Sequence, residues 1–153
     1  MNQNVSWAVV MFMRAKQCAD YWKEFRVGLH KLALARYKLR DEDKRSRYSL
    51  FVFRNGAASP ERCFNFEPDD FEGQAPVAFF GEHMQDGHSN YGLAPNDLTI
   101  ERFQPRAFEW AAKVLGVRVQ DIVSSERVDE AGIPPEKRNE LKNIIDRLFG
   151  KKR

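Results

Sequence analysis

The sequence predicts an α+β fold in a single domain: a long N-terminal helix, a small three-stranded antiparallel meander, and a C-terminal cluster of two to three helices. Three observations predict it. Residues 5–45 contain no Pro and one Gly, and carry apolar residues at steps of three and four. Residues 47–81 are rich in aromatic and β-branched side chains and are broken by turn residues. Residues 103–149 return to helical spacing. A length of 153 residues suits one domain. With 42% hydrophobic residues the chain can bury a core, which excludes a disordered tail or a low-complexity linker.

The helix is expected over residues 5–40. Ala8, Met11, Ala15, Cys18, Trp22, Phe25, Leu29 and Leu32 form an apolar seam with helical steps. A competing reading makes Val5–Met13 a buried strand, because Val5, Trp7, Val9, Val10 and Phe12 favour strands. The absence of a turn residue between Met13 and Cys18 favours the helix. A seam this long predicts a homodimer through the N-terminal helix, unless the meander and the C-terminal helices cover it.

The meander is expected over residues 47–81. Tyr48–Phe53 is followed by the turn signal Asn55-Gly56. Arg62–Glu67 alternates with period two and puts Phe64 and Phe66 on one face. Pro76–Phe80 is the third strand, and residues 82–98 read as a polar loop. In the last third, Pro105 suits the first turn of a helix that stops at Gly116. A short helix follows over 118–125. Pro134-Pro135 opens a final helix whose apolar positions are Leu141, Ile144, Ile145, Leu148 and Phe149. A basic tail closes the chain at 150–153.

Phe108–Val123 resembles the closing helices of phage-repressor-type helix-turn-helix domains, with Leu115-Gly116-Val117 between an apolar helix and a short one. Arg118 stands where those domains often carry Ser. The resemblance covers 16 of the 153 residues. It is a packing pattern between two helices and assigns no family.

Charge is segregated. Residues 1–54 carry +7, residues 55–100 carry −7 and residues 101–153 carry +3. In one reading the basic first segment attracts a polyanion such as nucleic acid. In the other, the acidic middle packs beside the basic segment and the charges compensate. The candidate nucleic-acid contacts are Arg36, Lys38, Arg40, Lys44, Arg45 and Arg47. On a helix, Arg36, Arg40, Lys44 and Arg47 would share one face.

Dinucleotide, phosphate-loop, zinc and nucleophile-elbow motifs are missing. The densest chemical segment is Gly81–His88. There a divalent metal could take His83, His88 and Asp86, or Glu82 could orient His83 for acid–base work. The spacing matches no metal signature, so a solvated loop is expected, with no metal, no cofactor and no catalysis. Cys18 and Cys63 are expected to be buried structural thiols, and most aromatic residues to be core. The run Val5–Met13 is too short to span a bilayer and no basic residue precedes it, so a cytoplasmic protein is expected.

The expected function is a small non-catalytic binding or regulatory protein whose basic face contacts nucleic acid or a nucleoprotein complex. The alternative is a protein-interaction module, an inhibitor or adaptor. It would bind through its acidic middle segment or its N-terminal helix.

Overall fold

The computed structural model describes residues 6–70 and 73–127. The final helix expected after Pro134-Pro135 and the basic tail lie outside the described residues. The elements, in chain order, are α1 (Trp7–Cys18), β1 (Tyr21–Val27), β2 (His30–Tyr37), β3 (Arg47–Arg54), β4 (Arg62–Asp69), β5 (Val77–Met84), β6 (Gly87–Leu93), α2 (Ile100–Leu115), α3 (Val119–Val123) and β7 (Glu126–Arg127). The strands form one antiparallel sheet in the order β6-β5-β4-β3-β2-β1-β7. The protein is thus mostly sheet, with three short helices.

This corrects the expected architecture. The N-terminal helix ends at Cys18, and residues 21–37 form a hairpin instead of a continued helix. Gly28 and Leu29 make its two-residue turn between the paired residues Val27 and His30. Gly28 has φ 58°, which a residue with a Cβ adopts at a cost. The expected three strands correspond to β3, β4 and β5, but the meander has six strands, with β1, β2 and β6 added. The expected loop over 82–98 is strand in its larger part, because residues 82–84 complete β5 and residues 87–93 form β6, and residues 94–98 connect to α2 without regular structure. Pro105 lies inside α2 rather than in its first turn, since the helix starts at Ile100 with Thr99 as its cap. Gly116, with φ 70°, ends that helix.

Both faces of the sheet are covered. On one, Phe25, Leu32, Leu34, Leu50, Val52, Phe64 and Phe66 pack against Ile100, Phe103, Ala107, Phe108 and Ala111 of α2 and Ile122 of α3. On the other, Ala33, Ala35, Tyr37, Phe51, Phe53 and Cys63 pack against Ala8, Met11, Phe12 and Ala15 of α1. In β2 the large residues Leu32 and Leu34 face α2, and the small residues Ala33 and Ala35 face α1. All four are fully buried.

The seam residues Ala8, Met11 and Ala15 are buried against this second face. The reason for expecting a homodimer through the helix therefore falls away: the chain covers the seam itself. Cys18, at the end of α1, is exposed and not buried as expected. No helix among the described residues is long and apolar enough to cross a membrane.

Candidate functional site

A pocket of about 350 Å³ opens between α2 and the β4–β6 end of the sheet. Its floor is Phe64 on β4 and Glu82 on β5, which are paired directly across the strands. Tyr91 on β6 forms one wall. Arg106, Glu109, Trp110 and Lys113 descend along α2 at helical spacing and form the other. Phe64 and Trp110 stack with ring centroids 5.5 Å apart, and Phe64 and Tyr91 lie 5.8 Å apart.

Glu82 is 2% exposed. Such burial is tolerable for a carboxylate only when its oxygens are bonded. Arg62 Nε donates to Glu82 Oε2 at 2.8 Å, Arg62 Nη2 donates to the same oxygen, and the Tyr91 hydroxyl donates to Oε1. Burial pushes the Glu82 carboxyl up, but the hydrogen bonds from Tyr91 and Arg62 prevail and hold it below its ordinary value. The same bond from Tyr91 to Glu82, with burial, raises the Tyr91 phenol.

The Arg62 guanidinium also sits over the Trp110 ring, 5.6 Å from its centroid. The Trp110 indole N–H is near enough to Glu82 to favour its charged form. It does not reach hydrogen-bond geometry, and it is buried without a partner.

Arg62 is thus committed to Glu82. Arg106 lies over the Phe80 ring, 5.0 Å from its centroid. Arg106 and Lys113 are both exposed, and neither forms an ion pair with a described residue. The pocket therefore joins an aromatic interior to a rim where Arg106 and Lys113 flank Glu109 on α2, which leaves one positive charge in excess among these three residues. Sequence reasoning missed it, because its residues come from three strands and a helix spread over residues 62–114. The available signal was the period-two placement of Arg62, Phe64 and Phe66, which puts Arg62 on the aromatic face.

The six basic residues predicted to contact nucleic acid do not share a helix. Arg36 lies near the end of β2 and Arg47 begins β3; Lys38, Arg40, Lys44 and Arg45 lie in the connection between them. Four of the six face carboxylates. Arg36 Nε donates to Asp20 at 2.7 Å and Arg40 Nε to Asp43 at 3.0 Å. Arg47 Nη1 lies 4.0 Å from Glu67 Oε2. Arg45 binds Asp70, the Asn96 carbonyl at 2.9 Å and the Val77 carbonyl at 2.8 Å, tying three loops together. Its guanidinium holds the Asp70 carboxyl below its ordinary value. Lys38 and Lys44 are exposed and form no ion pair with a described residue. Arg45–Asp70, Arg47–Glu67 and Arg54–Glu61 pair the basic first segment with the acidic middle, while Arg36–Asp20 and Arg40–Asp43 lie within the first segment.

The expected polar loop 82–88 divides between the two faces of the sheet. Glu82 faces α2 and cannot orient His83, which faces the other side. His83 and His88 are directly paired across β5 and β6, and Asp86 sits in the two-residue turn between these strands. The carboxylate that meets the histidines is Glu67, whose Oε2 lies 3.1 Å from His83 Nε2. Burial raises the Glu67 carboxyl, but the His83 hydrogen bond and the charge of Arg47 hold it below its ordinary value.

Comparison with protein-family models, with curated proteins and with solved structures finds no match for the chain.

Proposed function

We propose that the chain is a small-ligand-binding protein whose helix-on-sheet pocket takes a planar aromatic anion. One observation carries this reading: aromatic walls from Phe64, Tyr91 and Trp110 meet Arg106 and Lys113, two cations against the one carboxylate of Glu109, at the rim of one pocket of about 350 Å³. That volume suits a compact ligand. The apolar faces favour a flat ring system, and the cations select a carboxylate, sulfonate or phosphate on its edge. Glu82 is held by Arg62 on one oxygen and Tyr91 on the other, which keeps it charged and fixed in place. This supports binding over acid–base catalysis. Two free thiols support a reducing, cytoplasmic setting.

The test is a titration of the chain with 2-naphthoate and with uncharged 2-naphthamide, followed by Trp fluorescence. The acid should quench emission and bind about tenfold more tightly than the amide, the worth of one ion pair of about 1.4 kcal/mol. Arg106→Glu with Lys113→Glu should remove that preference, and Trp110→Phe should remove the quenching. Equal binding of acid and amide, or no saturable binding of either, rejects the reading.

A second reading keeps the nucleic-acid contact expected from the sequence. It is favoured by Lys38 and Lys44, exposed and without an ion pair beside Arg40, whose side chain is 68% exposed. Fluorescence anisotropy with DNA and RNA oligomers at two salt concentrations tests it. With Lys38 and Lys44 as the cations that form no ion pair with a described residue, a log–log salt slope of about −2 is expected. Binding that is absent at low salt, or unchanged after Lys38→Glu with Lys44→Glu, rejects it.

A further inference from the structure

We infer that Glu67, His83 and His88 form a binding site for a divalent transition-metal ion, on the sheet face opposite the pocket. One donor atom from each of the three lies within 4.8 Å of the others. Their positions follow from the sheet. His83 and His88 face each other across the β5–β6 pair, with ring centroids 4.4 Å apart. Glu67 is less obviously placed: Cys63 is the β4 residue paired with His83, and Glu67 lies four residues further along the strand.

The carboxylate reaches His83 by folding across Gly81. A Cβ at that position would lie 3.1 Å from Glu67 Oε2 and 3.2 Å from its Cδ. Gly81 is therefore the gap through which a residue of β4 joins two residues of the β5–β6 hairpin.

The carboxylate is also held from behind. Asn65 Nδ2 donates to Glu67 Oε2 at 3.3 Å. Asn65 Oδ1 accepts from the Ser49 hydroxyl at 2.6 Å, and Ser49 and Tyr37 share a hydrogen bond of 2.8 Å. Tyr37, Ser49 and Asn65 are essentially completely buried. A buried chain of hydrogen bonds that ends on a ligating carboxylate is the outer support that metal sites use to orient their ligands.

Two imidazoles and one carboxylate suit Zn²⁺ and its neighbours Co²⁺ and Ni²⁺ better than Mg²⁺ or Ca²⁺, which prefer oxygen donors. A tetrahedral ion with bonds of about 2.1 Å spaces its ligand atoms about 3.4 Å apart. Glu67 and His83 already stand at 3.1 Å. His88, on the exposed strand β6, has room to swing inward. Binding would replace the His83–Glu67 hydrogen bond and leave a fourth position for water. Among the described residues, Arg47, 4.0 Å from Glu67, is a nearby cation that opposes the ion.

The experiment uses the full chain without a polyhistidine tag, stripped with a chelator and titrated with Co²⁺ and then Zn²⁺. One equivalent of Co²⁺ should give a visible absorption band, and Zn²⁺ should displace it. In parallel histidine NMR spectra, the rings of His83 and His88 should shift, while that of His30, on the far end of β2, should not. His88→Ala, at an exposed position, should abolish the band and leave the far-ultraviolet circular dichroism unchanged. If that spectrum does change, His88→Gln at the same site should also lose the band. Absence of stoichiometric binding by the unsubstituted chain, or a band that survives the loss of the His88 imidazole, overturns the inference.

Discussion

Glu82 and His83 are consecutive in β5, yet they serve opposite faces of the sheet. Glu82 enters the aromatic pocket beneath α2 and is bound by Arg62 and Tyr91. His83 enters the polar cluster of Glu67 and His88 on the face that α1 partly covers. The strand pleat alone separates them. A short sequence that looks like one polar segment is therefore two half-sites with different chemistry, separated by the thickness of the sheet.

The Arg62–Glu82 pair is half protected, with side chains 30% and 3% exposed. Removing the partner of a buried charge costs more than removing an exposed pair, because the orphaned carboxylate keeps its desolvation penalty. Arg62→Ala should destabilise the protein by about 2–3 kcal/mol, below the full buried-pair cost because Arg62 is partly solvated. Glu82→Gln should cost less, since Gln remains a hydrogen-bond partner. Urea unfolding checks both. A loss under about 0.5 kcal/mol for Arg62→Ala would mean that the pair behaves as a screened surface contact.

The central strands were legible in composition, while the first hairpin was not. Leu32 and Leu34 face α2 while Ala33 and Ala35 face α1, so β2 is apolar on both sides and shows no alternation. Ala and Leu are also strong helix formers, and Phe25, Leu29 and Leu32 happen to continue the spacing of α1. Leu29 is 70% exposed in the turn and belongs to no seam. The signal that could have corrected the reading is Gly28, the one Gly in the first 45 residues, placed between a strand-forming Tyr-Trp-Lys-Glu-Phe-Arg-Val and a second apolar run. By contrast, β4 alternates cleanly because residues 62–67 face a core on one side and polar groups on much of the other.

Phe12 tests whether α1 belongs to this sheet. It is 7% exposed and meets three rings, Trp22 at 6.1 Å, Phe51 at 5.4 Å and Phe53 at 4.9 Å between centroids. Phe12→Ala should cost about 3–4 kcal/mol, from the lost transfer energy, the cavity and the edge-to-face contacts. If α1 instead paired with a second chain, the loss would depend on protein concentration. Urea midpoints at two concentrations a hundredfold apart should therefore agree for the unsubstituted chain and for the variant. A midpoint that rises with concentration would restore the homodimer reading.

The site residues were legible as residue types and not as partners. His83 and His88 stood out because they lie five positions apart. Glu67 did not, because strand register and the gap at Gly81, rather than sequence proximity, bring it to them. The basic residues from Arg36 to Arg47 were grouped by a helical spacing that a strand–loop–strand segment does not have. Their carboxylate partners, Asp20, Glu67 and Asp70, come from up to 25 positions away.

The two thiols should behave differently. Cys18 is exposed, with Sγ 3.3 Å from the Arg14 and Lys38 carbonyls. Cys63 is 0% exposed, and burial pushes its thiol from 9.0 up to about 12. In the native protein an aromatic disulfide reagent should modify one thiol quickly and the second only on unfolding. Two thiols reacting together without denaturant would contradict the packing of α1 over β4. The shift also fixes a sign for stability against pH. From about pH 9 the unfolded chain releases the Cys63 proton while the folded chain keeps it, so rising pH favours unfolding. The contribution is complete below pH 9 and is lost as pH climbs toward 12. From about pH 10, Tyr37 adds a loss of the same sign, because burial raises its phenol and its bond to Ser49 only partly offsets that. Each group steepens the decline by up to about 1.4 kcal/mol per pH unit. In a Cys18→Ser background, Cys63→Ala should lower stability by about 1 kcal/mol at pH 8 and flatten the decline between pH 9 and 10. A decline of unchanged slope in that variant would show that the Cys63 thiol ionises as readily in the folded chain as in the unfolded one.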